Sequence, residues 1–527
     1  MMPGEGEFYL YIIYMYREIQ IRVRPEEAAD MDVLKRYAAK NAGVELQRVK
    51  RVEILKRAID ARQRVVFNLV VGVHVDQIEI REKVFIPQYR DVSDKRTVVV
   101  VGAGPAGLFA ALRLIERGFR PIVLERGKAV EERKKDLGLL YRTGVVNEDS
   151  NFGFGEGGAG TFSDGKLYTR SKKRGDVQRA MEILVYHGAD ENILVDSHPH
   201  LGTDKLPGVI VNIRQTIEKY GGEVHFDCRV TDLLLGDGAV KGVIAGGREY
   251  PARDVILATG HSARDVYRML HRQAVYMEAK DFAVGLRMEH PQHDIDCMQY
   301  HTPEGRGAYL PSAEYSFVTN IDGRGVYTFC MCPGGVVVPA ATASGQQVVN
   351  GMSASGRNTP WANSAVVTAI GQAELNSLNY HGLFAGMELQ ETLEKKAWEE
   401  GGGNLYAPAQ ILTDFLNGKY SNLLPRTSYK PGVKSSLLHE WLPETISYRL
   451  REGLRSFGQR AKGLLTDRAL LLGVETRTSS TLRIPRGSER LVHPEIGGLY
   501  PCGEGAGYAG GIISAAMDGE KCAESIF

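Results

Sequence analysis

The chain has 527 residues, 43% hydrophobic and 24% charged, with 65 Lys+Arg against 64 Asp+Glu and a formal net charge of +1. That length accommodates about three domains of roughly 100–200 residues each, and so even a balance offers no global field for a polyanion, which makes nucleic acid an unexpected partner. The six cysteines include no Cys-x-x-Cys, which excludes a disulfide framework, a zinc ribbon and an iron–sulfur scaffold and makes the reduced cytoplasm the expected location.

The first apolar stretch, Phe8–Tyr16, is about half as long as a membrane helix. It lacks a basic leader and a small-residue cleavage site. Four of its nine residues are Tyr, so it reads as a strand and no membrane association is expected. Phe8–Val23 predicts one or two strands. Pro25–Asn41 predicts a helix, with Ala28, Leu34, Tyr37, Ala38 and Ala39 apolar and Gly43 just past its end. Gln47–Ala61 fits neither period cleanly, and Arg64–Val75, rich in β-branched residues, predicts a strand. Residues 1–90 therefore read as a small α+β domain. Its basic run, Arg48, Lys50, Arg51, Lys56, Arg57, Arg62 and Arg64, reads as a solvated face; a site for an anion or a partner is the alternative. A polar linker, Tyr89–Arg96, follows.

Val98–Val101 is short and wholly apolar, as a buried parallel strand should be. It runs into Gly102-Ala103-Gly104-Pro105-Ala106-Gly107, a helical stretch Leu108–Glu116, a second strand Pro121–Leu124, and Glu125. Gly102 permits the turn, Gly104 lets backbone approach a pyrophosphate, and Gly107 lets the helix pack on the strand. The helix start offers unpaired N–H groups to phosphates. Glu125, placed to accept ribose hydroxyls, would repel a 2′-phosphate. The same glycine pattern recurs from Gly153 and from Gly505, but only the Gly102 match sits between two strands with an acid at the end.

Antiparallel strands are predicted across 228–260, ending in the apolar strand Val255–Gly260. Short strands and glycine turns fill 281–443, with one polar helix around Met387–Glu400. A long amphipathic helix is predicted over Pro443–Leu472, with Ile446, Leu450, Leu454, Phe457, Ala461 and Leu464 on one face. Gly497–Phe527 reads as strand, glycine loop and helix.

An opening nucleotide motif, an antiparallel meander and a closing strand–glycine–helix unit together resemble the glutathione-reductase-type FAD fold. Asn151–Leu167, Ala258–Asp265, Phe282–Gln292, Cys332–Pro339, Asn350–Ser353 and Glu475–Arg486 narrow the likeness. They resemble the bacterial, largely uncharacterised FAD-dependent dehydrogenases, often described as NAD-utilising, that carry an extra N-terminal domain. The likeness covers about residues 50–527. It implies an α/β fold: a discontinuous FAD/NAD(P)-binding Rossmann-like domain (97–280 and 444–527), a mixed α+β substrate-domain insertion (281–443), and the small N-terminal α+β domain (1–90). It also implies a flavoprotein oxidoreductase with noncovalent FAD. The implied coenzyme site comprises the Gly102–Gly107 loop, Glu125, Arg126, the Gly157, Gly158, Ala159, Gly160, Thr161 and Ser163 loop, Val230, Thr259, Gly260, Gly503, Glu504, Gly510, Gly511 and Ile512. Glu504 stands where that family usually has Asp.

Three residues are read as catalytic. Lys166 is a cation suited to stabilising a reduced anionic flavin. His261 follows a strand end that points at the ligand crevice. Arg477, in a Thr/Ser-rich segment, suits a substrate carboxylate. Arg287, His290 and His301 are weaker candidates in the insertion, and Cys330, Cys332 and Cys502 read as buried small apolar residues. No metal motif is found. The expected activity is hydride transfer to or from a small-molecule substrate. NAD(P)H is compatible as a transient co-substrate, although no second Rossmann unit is evident. A flavin-dependent enzyme acting on RNA or another macromolecule, recruited by the N-terminal domain, is the alternative; a non-enzymatic FAD sensor is a third.

Overall fold

The computed structural model describes residues 15–76, 85–169 and 175–527. The chain divides into two compact units, one made of the N-terminal residues with Leu194–His198 and Gly307–Leu310, the other of the remainder.

In the first unit, strands Met15–Val23, Val49–Asp60 and Val66–Val75 form an antiparallel sheet with Val66–Val75 in the middle. The helix Met31–Ala42 buries Leu34, Ala38 and Ala39 in one apolar cluster with Leu69, Val71 and Val73 of that middle strand. The expected helix from Pro25 is broken in two: Pro25–Ala28 stops, and Asp30 caps the second helix by accepting the N–H groups of Asp32 and Val33. The expected strand from Phe8 is found from Met15 onward, and its first part lies outside the described residues. The ambiguous Gln47–Ala61 is a short 3₁₀ turn and a long strand. Its basic run is largely charge-compensated: Arg48 pairs with Asp76, Arg51 with Glu53, Arg57 with Asp196 and Arg62 with Asp60.

The second unit is built on a five-stranded parallel sheet ordered Leu499–Pro501, Val255–Leu257, Thr97–Val101, Arg120–Leu124, Glu223–His225. Val98 to Val101 are at most 4% exposed, because helices cover the sheet. Val101, Leu257 and Pro501 are paired in register, and Val101 with Leu124. The chain therefore leaves four strands at one edge, through Gly102, Ala258, Cys502 and Glu125. Helices Pro105–Arg117 and Ile512–Glu524 cross closely, since a Cβ on Gly519 would lie 2.0 Å from the Ala106 carbonyl oxygen. A three-stranded meander, Val230–Pro251, completes this part.

The intervening chain forms a seven-stranded, mainly antiparallel sheet. Its central strands are Phe282–Pro291 and Trp361–Ile370, paired along ten residues. Leu470–Glu475 also belongs to it. Two expectations are corrected here. The amphipathic helix runs Glu444–Arg460 and does not reach Leu472; Gly463 (φ +98°) turns the chain, and Leu470–Leu472 are buried in the strand. The second share of the parallel-sheet domain does not begin at 444, because that helix and strand pack with the seven-stranded sheet. Among the described residues no helix is long and apolar enough to cross a membrane.

Candidate functional site

Gly102 and Gly107 are fixed by close backbone approach. A Cβ on Gly102 (φ +102°) would lie 2.5 Å from the Ala258 oxygen, and one on Gly107 1.9 Å from the Gly102 oxygen. Glu125, 5% exposed, shapes the same turn. Its Oε2 accepts the Ala103 N–H at 2.8 Å, and its Oε1 accepts those of Gly127 and Gly155 at 2.9 and 3.0 Å. The carboxylate read from the sequence as a free ribose acceptor thus first serves three backbone amides. A carboxylate has about four acceptor positions, which leaves one.

The glycine loop that follows is organised by a residue the sequence reading passed over. Arg133, fully buried, donates to the carbonyl oxygens of Asn151, Phe152, Glu156 and Gly158 at 2.8–3.0 Å. Gly155 leaves room for it; a Cβ there would lie 2.4 Å from Arg133 Cδ. The Gly157 N–H donates to the Ala103 oxygen at 2.8 Å, tying this loop to the first. Thr161 turns inward, its hydroxyl donating to the Glu156 oxygen at 2.7 Å, and Ser163 donates to the Gly160 oxygen. Both hydroxyls therefore donate within the loop itself. Arg126 stacks 4.2 Å from the Phe154 ring centroid and pairs with Asp149 and Asp265. Val230 is buried at the start of the meander.

The C-terminal loop meets the opening one. The Gly503 N–H donates to Asp518 Oδ2 at 2.7 Å. A Cβ on Gly503 would lie 2.9 Å from Ala106 Cβ, one on Gly505 2.5 Å from the Gly260 oxygen, and one on Gly160 3.3 Å from Ile512. Between these contacts lies open space. A Cβ on Gly104 would find its nearest neighbour, Gly158, at 4.0 Å, and Cβ atoms on Gly260, Gly510 and Gly511 would meet nothing within 4 Å. Thr259 and Pro105 are half-buried beside them and Ala159 is exposed. Bare backbone therefore borders a groove at the starts of the helices Pro105–Arg117 and Ile512–Glu524, whose first N–H groups have no partner within the helix. Such a cradle fits a dinucleotide diphosphate.

Of the three residues read as catalytic, two meet. His261 Nε2–H donates to the Arg477 carbonyl oxygen at 3.0 Å, and its Nδ1 lies 3.5 Å from Glu504 Oε1. With Nε2 donating to that carbonyl, Nδ1 is the ring nitrogen that faces the Glu504 carboxylate. The Arg477 guanidinium is not free. It binds Glu394, Gln346 and Thr342. Glu394, also clamped by Arg264, stays at about 2 although burial alone would raise it. Lys166 belongs to another cluster, 3.1 Å from Asp164, which Arg357 also binds. Burial would raise Asp164 too, yet Lys166 and Arg357 hold it at about 2.

Arg287 and His290 are buried in the strand Phe282–Pro291. Arg287 binds Asn363, the Cys330 oxygen and Glu475. His290 donates to the Leu464 oxygen, and burial pushes it down to about 4. His301 ends a helix with φ +57°. Glu475, 3% exposed, is pushed up to about 7 by burial against the pull of Arg287. Cys332 and Cys502 are buried as expected, whereas Cys330 is exposed and adopts φ +44°. Sequence reasoning missed Arg133, Glu394, Glu475 and Asp518. The available signal was a lone charge in an apolar run, as in Leu470–Glu475.

Three family models match the chain. A model described as pyridine nucleotide-disulphide oxidoreductase matches residues 96–271, one described as FAD-dependent protein, C-terminal domain-like, matches 281–478, and a domain of unknown function matches 15–74. An uncharacterized protein of Clostridium beijerinckii is 40% identical over 517 residues, covering 94% of this chain and 96% of its own. Protein FixC of Escherichia coli K12 is 26% identical over 189 residues, 36% of this chain and 42% of FixC. Among solved structures, an oxidoreductase from Methanosarcina mazei aligns over 81% of this chain and 100% of its own at 12% identity and a TM-score of 0.31.

Proposed function

This chain belongs to an uncharacterised family of FAD-dependent oxidoreductases, and we propose that it holds FAD noncovalently in the glycine-bordered groove and exchanges a hydride with a small-molecule substrate. The observation that carries this reading is the open space beside Gly104, Gly260, Gly510 and Gly511, where two helix N-termini converge. FAD, when bound, supplies the two-electron chemistry. The chain's own residues do the rest. The N–H groups at the start of Pro105–Arg117 would hold the diphosphate, and those at the start of Ile512–Glu524 would add further donors to the coenzyme. The remaining acceptor position of Glu125 would take a ribose hydroxyl, and Arg126 stacked on Phe154 would border the adenosine.

On the substrate side, Lys166 stays protonated, because Asp164 sustains its charge against burial, and it stabilises negative charge on the reduced coenzyme or the substrate. His261 Nδ1 and Glu504 Oε1, 3.5 Å apart, are the groups that give a proton to, or take one from, the reacting molecule. Arg477 positions this pair through its carbonyl oxygen and does not bind substrate, since its guanidinium is engaged. A reduced nicotinamide is the electron donor, docking transiently.

The test is the purified chain itself. It should be yellow or become so with added FAD, and should bleach anaerobically with NADH or NADPH. A chain that remains colourless with excess FAD overturns the reading. A yellow chain that photoreduces but ignores both nicotinamides keeps the flavin and removes the donor, and a metabolite screen for reoxidation then identifies the substrate.

A further inference from the structure

Cys502 directly precedes the Gly503 turn, and Cys522 lies on the helix Ile512–Glu524. Their sulfurs and a carboxylate oxygen of Asp518 all fall within 4.8 Å of one another, and all three residues are buried. Two cysteines and an aspartate could ligate a divalent metal, but the cation position is filled. Arg486 donates to both Asp518 oxygens at 3.0 and 2.5 Å and to Cys522 Sγ at 3.2 Å. Asp518 Oδ2 also accepts the Gly503 N–H. A metal ion would have to displace a permanently charged guanidinium. What remains is a pair of buried thiols whose sulfurs lie within 4.8 Å of each other, with the Cys522 thiol donating to the Pro501 oxygen at 3.9 Å.

We propose that Cys502 and Cys522 are a redox-convertible pair that closes to a disulfide and thereby loosens the coenzyme-binding turn. Cys522 is the sulfur oxidised first, because its Sγ accepts a hydrogen bond from the Arg486 guanidinium at 3.2 Å, which favours the thiolate. Hydrogen peroxide, which reduced flavins make from dioxygen, is the oxidant. Its O–O bond breaks on the Cys522 sulfur, giving a sulfenic acid and one water. The Cys502 sulfur then attacks, the S–S bond forms, and a second water leaves. Two thiols lose two electrons and one peroxide gains them.

The coupling is covalent in origin. Cys502 directly precedes Gly503, and Asp518, which holds the Gly503 N–H, lies four residues before Cys522 on the same helix. Drawing the sulfurs from their present separation, within 4.8 Å, to a bonded distance of about 2.05 Å pulls the turn toward that helix and alters the Gly503–Asp518 bond. A disulfide of this kind suits a transient sensor in a reducing environment. Its formation stands on the thiol geometry alone; its effect on FAD retention rests on the proposed function.

The full-length protein, loaded with FAD, is treated with hydrogen peroxide, alkylated, digested and mapped by mass spectrometry. A Cys502–Cys522 linked peptide, removed by dithiothreitol, is expected, with FAD released severalfold faster from the oxidised protein. Cys522→Ser should abolish the link and leave Cys502 alkylatable. Cys502→Ser should leave Cys522 as a trappable sulfenic acid. Both cysteines remaining alkylatable while exposed Cys330 is oxidised overturns the proposal, as does stoichiometric zinc retained through dialysis. A link with unchanged FAD release overturns the coupling. If no FAD binds at all, the function reading has failed, and the link is still scored on the chain without it.

Discussion

Arg477 closes its guanidinium on Glu394, Nε to Oε1 at 3.1 Å and Nη2 to Oε2 at 2.9 Å. Arg264 grips the same carboxylate from the other side at 2.8 Å through each of two nitrogens. One fully buried acid thus bridges two arginines and joins the helix Ala385–Gly401 to both the Ala258–Asp265 turn and the segment after Leu470–Glu475. Glu394→Gln leaves two buried guanidinium groups under-compensated and should cost about 3–5 kcal/mol. The acid's folded pKa lies below its unfolded one, so its contribution is present above pH 4.5 and is lost as pH falls toward about 2. Thermal melts of wild type and Glu394→Gln should therefore differ most near neutrality and converge in acid.

Glu475 predicts the opposite slope. Its folded pKa is raised from 4.5 to about 7 by burial, so the folded state prefers the neutral acid. The stability it contributes is complete below pH 4.5 and is lost as pH rises through 7, a change on the order of 3 kcal/mol. Wild type should lose stability between about pH 5 and pH 7 relative to Glu475→Gln, which lacks that titration. The difference in urea midpoint across that range measures it, and a carboxyl infrared band disappearing near pH 7 in wild type alone assigns it.

The contrast between these two acids explains what was legible in the sequence. Val98–Gly107 could be read because a buried parallel strand, a tight turn and a helix start each impose residue types within about ten positions. The convergence of the Gly102 and Gly503 turns could be read from the family likeness. Glu394 and Arg477 are 83 residues apart, and nothing local marks either as the other's partner. The same holds for Arg133, which sits on a helix of ordinary polar appearance while its work is done on carbonyls 18–25 residues later. The amphipathic stretch from Pro443 misled because its apolar spacing persists past Arg460, where the helix ends, and Gly463 then turns the chain toward the sheet that Leu470–Leu472 join.

Arg133→Met keeps much of the side-chain volume and removes the guanidinium donors to the Asn151, Phe152, Glu156 and Gly158 oxygens, of which Glu156 keeps the Thr161 hydroxyl. The oxygens left buried and unpaired should cost about 3–5 kcal/mol in stability. The loop they belong to should also open, since Gly157 reaches Ala103 only from its present course. Coenzyme retention after gel filtration should fall with the melting temperature. Raised protease cleavage within 151–160 would locate the damage in the loop.

Two glycines in one loop separate folding from binding. Gly104 has φ −75° and ψ −178°, a conformation alanine adopts freely, and its Cβ would enter the groove with its nearest neighbour at 4.0 Å. Gly104→Ala should therefore melt within about 1 kcal/mol of wild type in the absence of coenzyme. Its FAD dissociation constant should nevertheless rise at least about tenfold, which is about 1.4 kcal/mol, because the methyl group occupies the place the diphosphate needs. Gly107→Ala meets the Gly102 oxygen at 1.9 Å, inside the protein rather than in the groove, so it should lower the melting temperature with or without FAD. Isothermal titration with FAD, paired with melts of the coenzyme-free proteins, distinguishes the two effects. Unchanged FAD affinity in Gly104→Ala would place the diphosphate elsewhere.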